Sequence, residues 1–353
     1  MTVYAHINTV PNGSTGGIMM KEHRELLAAG YESYAFWGRG REAENPNEMK
    51  FASGVEVKLD VILTRIDGKA GFHSKAATKR LLERLDEIKP DLVHLHNLHG
   101  YYVNVEMLFE WLAKHNCRVE WTLHDCWAFT GHCAYSKPCS QLNTYPKTYS
   151  KVSCSWNFEQ KKHVFNQVPA ERMKLITPSQ WLASLVGESF LKGYPVEVRH
   201  NTIDIDVFKP TPSNFRERYN IGDRFMILGV ASPWTERKGL ADFVRLAGEL
   251  DSGKFAIVLV GLSEKQIKEM PEGIVGLTRT DSREELAGIY STADVFFNPT
   301  TEDNFPTVNL EAEACGTPVV TYDTGGCSET VRCGDSYVVK SLEDAVAIIG
   351  GLV

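Results

Sequence analysis

Asp303-Asn304-Phe305-Pro306-Thr307-Val308-Asn309-Leu310-Glu311-Ala312-Glu313-Ala314-Cys315-Gly316-Thr317-Pro318-Val319-Val320 is the stretch from which the rest of the chain can be read. Proline suits the first position of a helix, so the loop turns into a helix at about Pro306. Gly316 stands where the residue after a helix belongs, and Thr317-Pro318-Val319-Val320 starts a strand. The backbone N–H groups that open such a helix have no partner inside it and point at whatever lies in front, ideally an anion. Glu311 falls about one and a half turns into the helix. Its carboxylate can accept two hydroxyl donors from a diol such as ribose. One element can thus hold a diphosphate at its tip and a sugar further along. The plain alternative is a solvated glutamate on an ordinary helix.

Outward from that stretch the chain alternates strands and helices, which argues for α/β architecture with parallel sheets. In the first half, strands are expected at Tyr4–Val10, Ser33–Trp37, Asp91–His96, Arg118–Leu123, Lys174–Thr177 and Val196–Arg199. Helices are expected at Gly17–Ala29, His73–Ile88, Asn104–Lys114, Trp156–Asn166 and Gln180–Glu188. Residues 125–155 read as a long irregular loop, of a length that is usually functional or mobile. His200–Pro212 reads as a join. A fresh series follows it: strands Phe225–Gly229, Phe255–Val260 and Val295–Pro299, and helices Gly239–Leu250, Arg283–Ser291 and Leu342–Ile349. The expected organisation is two Rossmann-like domains, 1–200 and 201–353, facing each other across a cleft. Ligand sites belong at the carboxyl ends of the strands.

At 353 residues the chain is too long for one ordinary core. Hydrophobic residues make up 43% and charged residues 24%, as in a soluble globular protein. Apolar runs such as Phe255–Val260 are strand-sized, and the first residues read as a strand rather than a signal segment. A cytoplasmic protein is expected, with its eight cysteines as thiols. Residues 1–200 carry 24 Lys and Arg against 21 Asp and Glu, net +3, and residues 201–353 carry 14 against 24, net −10. Neither half reads as a nucleic-acid binder. One segment is locally basic, with Arg65, Lys69, Lys75, Lys79, Arg80 and Arg84 against Asp67 and Glu83. It is either a solvated helix face or a patch for anionic lipid or an anionic acceptor.

Several constellations can carry chemistry. Gly13-Ser14-Thr15-Gly16-Gly17 joins the first strand to the first helix, where backbone can approach a ligand. It is not G-x-G-x-x-G, so a dinucleotide site is not expected. His124 and Asp125 close a strand at its carboxyl end, where a histidine can meet a sugar hydroxyl or a developing charge. His94 and His96 share one face of a strand, and His94 reads as structural. Asn97 and His99 follow in the next loop and are candidate acceptor contacts. Arg237-Lys238-Gly239 sets two cations at a helix start, suited to a diphosphate. Cys126, His132, Cys133, Cys139 and Cys154 cluster in the long loop without a recognised zinc spacing, so ordinary thiols are expected and zinc stays open. No Ser-His-Asp order is readable.

Together these residues resemble a retaining glycosyltransferase of family 4, with the GT-B fold. The resemblance is most specific at Asp303–Val320, with its acidic-x7-Glu and Glu-Ala-x-Ala-Cys-Gly-Thr-Pro-Val-Val pattern. It extends to Lys89–His96, Thr177-Pro178-Ser179, Arg199–Asp204 and Arg237-Lys238-Gly239. Trp121–Trp127 and Thr130-Gly131-His132-Cys133 resemble bacterial exopolysaccharide and colanic-acid-type transferases. The resemblance implies that Glu311 binds the ribose of a nucleotide-sugar donor and that Asp303, where the family usually has Glu, contacts donor-sugar hydroxyls. Asn304, Phe305, Pro306 and Thr307 would present the loop and helix start to sugar and phosphate, and Lys238 would neutralise the diphosphate. Ala231-Ser232 replaces the family's usual Gly-Arg pair, so Arg237 would supply the second cation. Gly16 and Gly17 would approach the reaction centre, and His124 would touch the donor sugar.

The implied reaction is transfer from a UDP-, GDP- or dTDP-sugar to a hydroxyl of a saccharide or lipid-linked acceptor, with retention and without a required metal or cofactor. It would serve cell-surface polysaccharide synthesis at the inner face of the membrane, with peripheral contact through Arg65–Arg84. The alternatives are a nucleotide-sugar epimerase of the same fold and a non-catalytic nucleotide-sugar-binding subunit.

Overall fold

The computed structural model describes residues 2–135 and 151–353. It divides into two compact units, Met1–Arg199 and His200–Val353. The first contains strands β1 (Val3–Asn8), β2 (Glu32–Trp37), β3 (Glu48–Lys50), β4 (Leu92–Leu95), β5 (Arg118–Thr122), β6 (Met173–Thr177) and β7 (Val196–Val198). Its helices are α1 (Gly13–Ala28), α2 (Gly54–Asp67), α3 (Lys75–Ile88), α4 (Val105–Lys114), α5 (Lys151–Phe165) and α6 (Gln180–Glu188). The second unit contains β8 (Phe225–Val230), β9 (Phe255–Val260), β10 (Ile274–Leu277), β11 (Val295–Asn298), β12 (Val319–Tyr322) and β13 (Tyr337–Val339). Its helices are α7 (Phe215–Arg218), α8 (Leu240–Glu249), α9 (Glu264–Glu269), α10 (Arg283–Thr292), α11 (Thr307–Ala314) and α12 (Leu342–Gly350).

The strand orders are β3-β2-β1-β4-β5-β6-β7 and β10-β9-β8-β11-β12-β13. Every pairing is parallel. These are two doubly wound, Rossmann-like sheets, as expected for GT-B. Each changes winding direction between its first and fourth strands, β1/β4 and β8/β11, and that switch point is where open α/β sheets bind ligands.

The buried strands explain the two-faced cores. In β9 all six residues are buried. Phe255, Ile257 and Leu259 join the cluster with Phe243 and Phe297, while Ala256, Val258 and Val260 join the one with Tyr290 and Phe296. That is the period-two alternation of a strand covered on both faces. In the first unit Phe109, Trp121 and Phe165 meet with ring centroids 4.7–5.4 Å apart, tying α4 and α5 to β5.

Three sequence expectations need correction. The segment Gly13–Gly17 is the first turn of α1 rather than a turn before it. Gly13 adopts φ +70, which lets the chain enter the helix at once, and Asn8 Nδ2 pins Val10 O at 3.1 Å just before it. Of the segment 125–155 expected to be irregular, residues 151–155 are helical, because α5 runs from Lys151, and residues 136–150 lie outside the described residues. Cys133 is disulfide-bonded, so not all eight cysteines are thiols. Cys139 lies outside the described residues.

Helix α2 has an unusual orientation. Its buried residues are Asp60 and Thr64, held by Thr64 Oγ1 donating to Asp60 Oδ1 at 3.0 Å and Ser74 Oγ to Oδ2 at 2.5 Å. Val55, Leu59, Ile62, Leu63 and Ile66 are instead 36–76% exposed. Among the described residues no helix is long and apolar enough to cross a membrane.

Candidate functional site

In the second unit the expected cations lie at the carboxyl end of β8. Glu236–Lys238 forms a single 3-10 turn, and Gly239 follows at φ +74. A Cβ at Gly239 would stand 2.3 Å from Pro299 O, so glycine lets the cation loop reach the loop after β11. Thr301 N donates to Arg237 O at 2.8 Å. Arg237 Nη1 donates to Glu302 O at 2.5 Å and lies 3.3 Å from Asp303 Oδ2. Lys238 Nζ lies 2.5 Å from the same Oδ2. Burial alone would push the Asp303 carboxyl up, but Lys238 and Arg237 together hold it below the ordinary range. Gly325, at φ +59, backs this loop: a Cβ there would stand 2.1 Å from Asp303 O, and Gly326 N donates to that oxygen at 2.8 Å.

Helix α11 starts at Thr307 with Pro306 as its N-cap residue, one position later than the first helical position that the sequence assigns to the proline. Its far end closes with Gly316 N to Glu313 O and Thr317 N to Ala312 O, both 3.0 Å, and with Gly316 at φ +87. This is a Schellman motif built on the expected glycine. Glu311 accepts a hydrogen bond from Tyr290 OH at 3.3 Å. Burial raises its pKa, against the opposing hydrogen bonds of Tyr290 and Thr307. Asn309, one residue behind the helix tip's first turn, accepts from Asn298 Nδ2 and donates to Thr330 Oγ1, both at 2.8 Å. This buried chain locks α11 to β11. Phe305 is buried and stacks on His200, centroids 4.8 Å apart and rings 15° from parallel. Asn304 is half-buried in the same loop.

In the first unit the candidate groups gather at the carboxyl ends of β1, β4 and β5. Gly16 is buried against Val10 and Pro11, where a Cβ would come within 2.6 Å of backbone, whereas a Cβ at Gly17 would meet nothing within 4 Å. Asn97, His99 and His124 line one small pocket with Asp125 and Trp127. His99 Nε2 pairs with Asp125 Oδ2 at 2.8 Å, and Trp127 N donates to Oδ1 at 2.8 Å. Burial pushes the Asp125 carboxyl up, yet His99 and the Trp127 N–H bring it below the ordinary range. His124 Nε2 lies 3.2 Å from His96 Nδ1. Burial lowers the His124 pKa to about 4, against the pull of Asp125, so the imidazole is neutral at physiological pH.

The structure therefore brings Arg237, Lys238 and Asp303 into direct contact and sets Thr307 beside Glu311. It gathers Asn97, His99 and His124 separately in the first unit. Sequence reading missed Tyr290, Asn309 and Glu22. Tyr290 and Glu311 meet only because α10 packs beside α11. Glu22 lies on α1 with its Oε2 2.9 Å from His94 Nδ1. No spacing within the chain announces either contact.

Comparison with known proteins agrees with this layout. Residues 21–207 match the profile of Glycosyltransferase Family 4, and residues 224–352 match that of Glycosyl transferases group 1. An Escherichia coli (strain K12) protein named as a colanic acid biosynthesis glycosyl transferase, WcaC, is 24% identical over 216 residues, which span 55% of this chain and 52% of WcaC. The chain spans about half the length of the curated relatives it matches. Sucrose-phosphate synthase from Thermosynechococcus elongatus superposes over 100% of this chain and 90% of its own, with TM-score 0.74 at 16% identity. Anabaena HepE, solved with UDP-glucose, superposes over 99% of this chain and 89% of its own, with TM-score 0.65 at 15% identity. At those identities the superpositions speak to the fold. With one profile covering more than half of the residues and a second covering most of the remainder, the chain belongs to glycosyltransferase family 4.

Proposed function

We propose that this chain transfers a sugar from a nucleoside-diphosphate sugar to a hydroxyl acceptor, with retention of anomeric configuration, in the synthesis of a cell-surface polysaccharide. The observation that carries this reading is the contact of Lys238 and Arg237 with Asp303, on the loop that opens α11. Breaking a sugar–phosphate bond leaves negative charge on the diphosphate and an electron-poor sugar. Two fixed cations and the helix-start amides stabilise the first, and the electrostatics are already organised before reaction. These groups supply the charge compensation a divalent ion would otherwise bring, so no metal is required in the transfer step. Glu311 takes the ribose hydroxyls, and Asn304, Phe305 and Pro306 shape the loop around the donor sugar. Asp303 accepts a sugar hydroxyl once the diphosphate engages the cations.

His200–Val353 acts as the donor unit and Met1–Arg199 as the acceptor unit. Gly16 and Gly17 bring backbone toward the reacting sugar, neutral His124 donates to it, and Asn97 and His99 contact the acceptor. The acceptor hydroxyl attacks on the face vacated by the leaving phosphate, whose oxygen takes the proton. The donor nucleoside is uridine, guanosine or thymidine. The acceptor is a saccharide carried on a lipid. The exposed apolar stripe of α2, a helix that also carries Lys58 and Arg65 and is followed in the chain by Lys69 and Lys75, supports peripheral contact with an anionic inner leaflet.

The test is thermal unfolding with UDP, GDP, dTDP, ADP and NADH in the presence of chelator. A ligand that binds only the folded state raises stability by mass action. A rise with one nucleoside diphosphate, lost in Glu311→Ala, is expected. No rise with any of them, or a rise with NADH alone, overturns the reading.

A further inference from the structure

Four side chains from three elements converge in the first unit, behind His124, which touches one of them. His6 stands on β1 directly opposite His94 on β4, His96 follows one residue after β4, and Glu22 descends from α1. Each of the three histidines is at most 3% exposed. One ligating atom from each of the four lies within 4.8 Å of the others. Among the described residues five buried side-chain polar atoms lack a hydrogen-bond partner, and four belong here: both ring nitrogens of His6, His96 Nε2 and Glu22 Oε2. Buried polar atoms are normally satisfied, so this concentration calls for an occupant. Glu22 Oε2 approaches His94 Nδ1 to 2.9 Å and His6 Nδ1 and His96 Nε2 to 3.9 Å, none aligned as a hydrogen bond.

We propose that His6, His94, His96 and Glu22 bind a divalent transition-metal ion, of which zinc fits best. Zinc takes four nitrogen and oxygen ligands at about 2.0–2.2 Å, so tetrahedral ligand atoms sit roughly 3.3–3.6 Å apart. The separations from Glu22 Oε2 straddle that value. Imidazole-rich sets select zinc and its neighbours over magnesium and calcium, which prefer oxygen. The outer contacts suit ligation. His94 Nε2 lies 2.8 Å from Thr122 Oγ1, leaving Nδ1 to face Glu22. His96 Nδ1 lies 3.2 Å from His124 Nε2, leaving Nε2 to face the same oxygen. Such second contacts fix ring orientation and tautomer in metal sites. The ion would rivet α1 to the middle of the sheet. With His96 ligating through Nε2, its Nδ1 keeps the proton and donates a hydrogen bond to His124 Nε2, so the proton of neutral His124 sits on Nδ1. The inference is independent of the transfer reaction.

The full chain, produced without a polyhistidine tag in zinc-supplemented medium, is analysed for metal by mass spectrometry. About one equivalent of zinc per chain is expected, with at least an approximately tenfold loss in Glu22→Gln and in His6→Gln. Because either variant could fold poorly, wild-type protein stripped of metal is also titrated with cobalt(II). A visible d–d spectrum without sulfur-to-cobalt charge transfer is expected, together with a higher unfolding temperature. Wild-type protein without bound metal and without a cobalt spectrum overturns the proposal. So does zinc retained in both variants, or a thiolate signature, which would move the ion to Cys126 or Cys154.

Discussion

The switch points of the two units share strand order and differ in chemistry. Between β1 and β4 the first unit gathers imidazoles around one glutamate, beneath a helix whose first turn is rich in glycine. Between β8 and β11 the second unit gathers two permanent cations on one aspartate, in front of a helix start. The same backbone frame therefore offers an imidazole-lined crevice in one case and a cation-lined one in the other. Topology sets where a ligand goes, and a handful of side chains at strand ends set what it is.

The comparison breaks most sharply at Lys238. Lys238→Ala should lower transfer about 100-fold, roughly 2.7 kcal/mol, with little change in the unfolding of the first unit. Six of the seven tryptophans lie in residues 1–199, so tryptophan fluorescence follows that unit. Initial-rate measurements giving wild-type transfer would remove the charged crevice from the chemistry. Next comes Gly325→Ala, whose new Cβ meets Asp303 O at a positive φ. It should cost the second unit about 2 kcal/mol in urea unfolding and lower donor affinity as well.

The first unit should instead respond to acid. Burial lowers His132 to about 4, helped by Lys161, so the native state keeps it neutral while the unfolded state protonates near pH 6.5. Its contribution is fully present above pH 6.5 and is lost as pH falls toward 4, with a slope of up to about 1.4 kcal/mol per pH unit. Fluorescence-detected urea midpoints between pH 7 and 4.5 measure it; His132→Gln should make the slope shallower, with the buried His124 supplying part of the rest, and an unchanged curve would show that His132 contributes nothing. The smallest effect is at the membrane. Lys75→Gln should weaken binding to anionic vesicles by about 1 kcal/mol, and neutral vesicles should show no difference.

Much of this was legible from local chemistry. Pro306 and Gly316 bracket α11 because one fits a helix start and the other alone accepts the left-handed cap. Helix α6 and strand β9 fall on the residues that periodicity assigns. The short edge strands β3, β10 and β13 carry too few residues to show alternation. Helix α2 was hidden for another reason: its polar residues face inward, so its apolar period points away from the core. Side-chain partnership was the least legible level. Nothing in the order of residues reveals that Asp303 holds Lys238, or that Glu22 meets three histidines from two neighbouring strands. Those contacts arise only when parallel crossovers bring distant strand ends together.

The shared carboxylate at the second switch point has a consequence for selectivity. Asp303 is a resident counter-ion: it offsets part of the charge of Lys238 and Arg237 and ties both in place before any ligand arrives. A small inorganic anion gains little by replacing an internal carboxylate already at contact distance. A diphosphate carries more charge and reaches the amides of α11 as well, so it can complete the exchange. If the chain transfers sugar as proposed, the exchange would free Asp303 only when a donor is present and so couple recognition of the phosphates to the availability of an acceptor oxygen for the sugar.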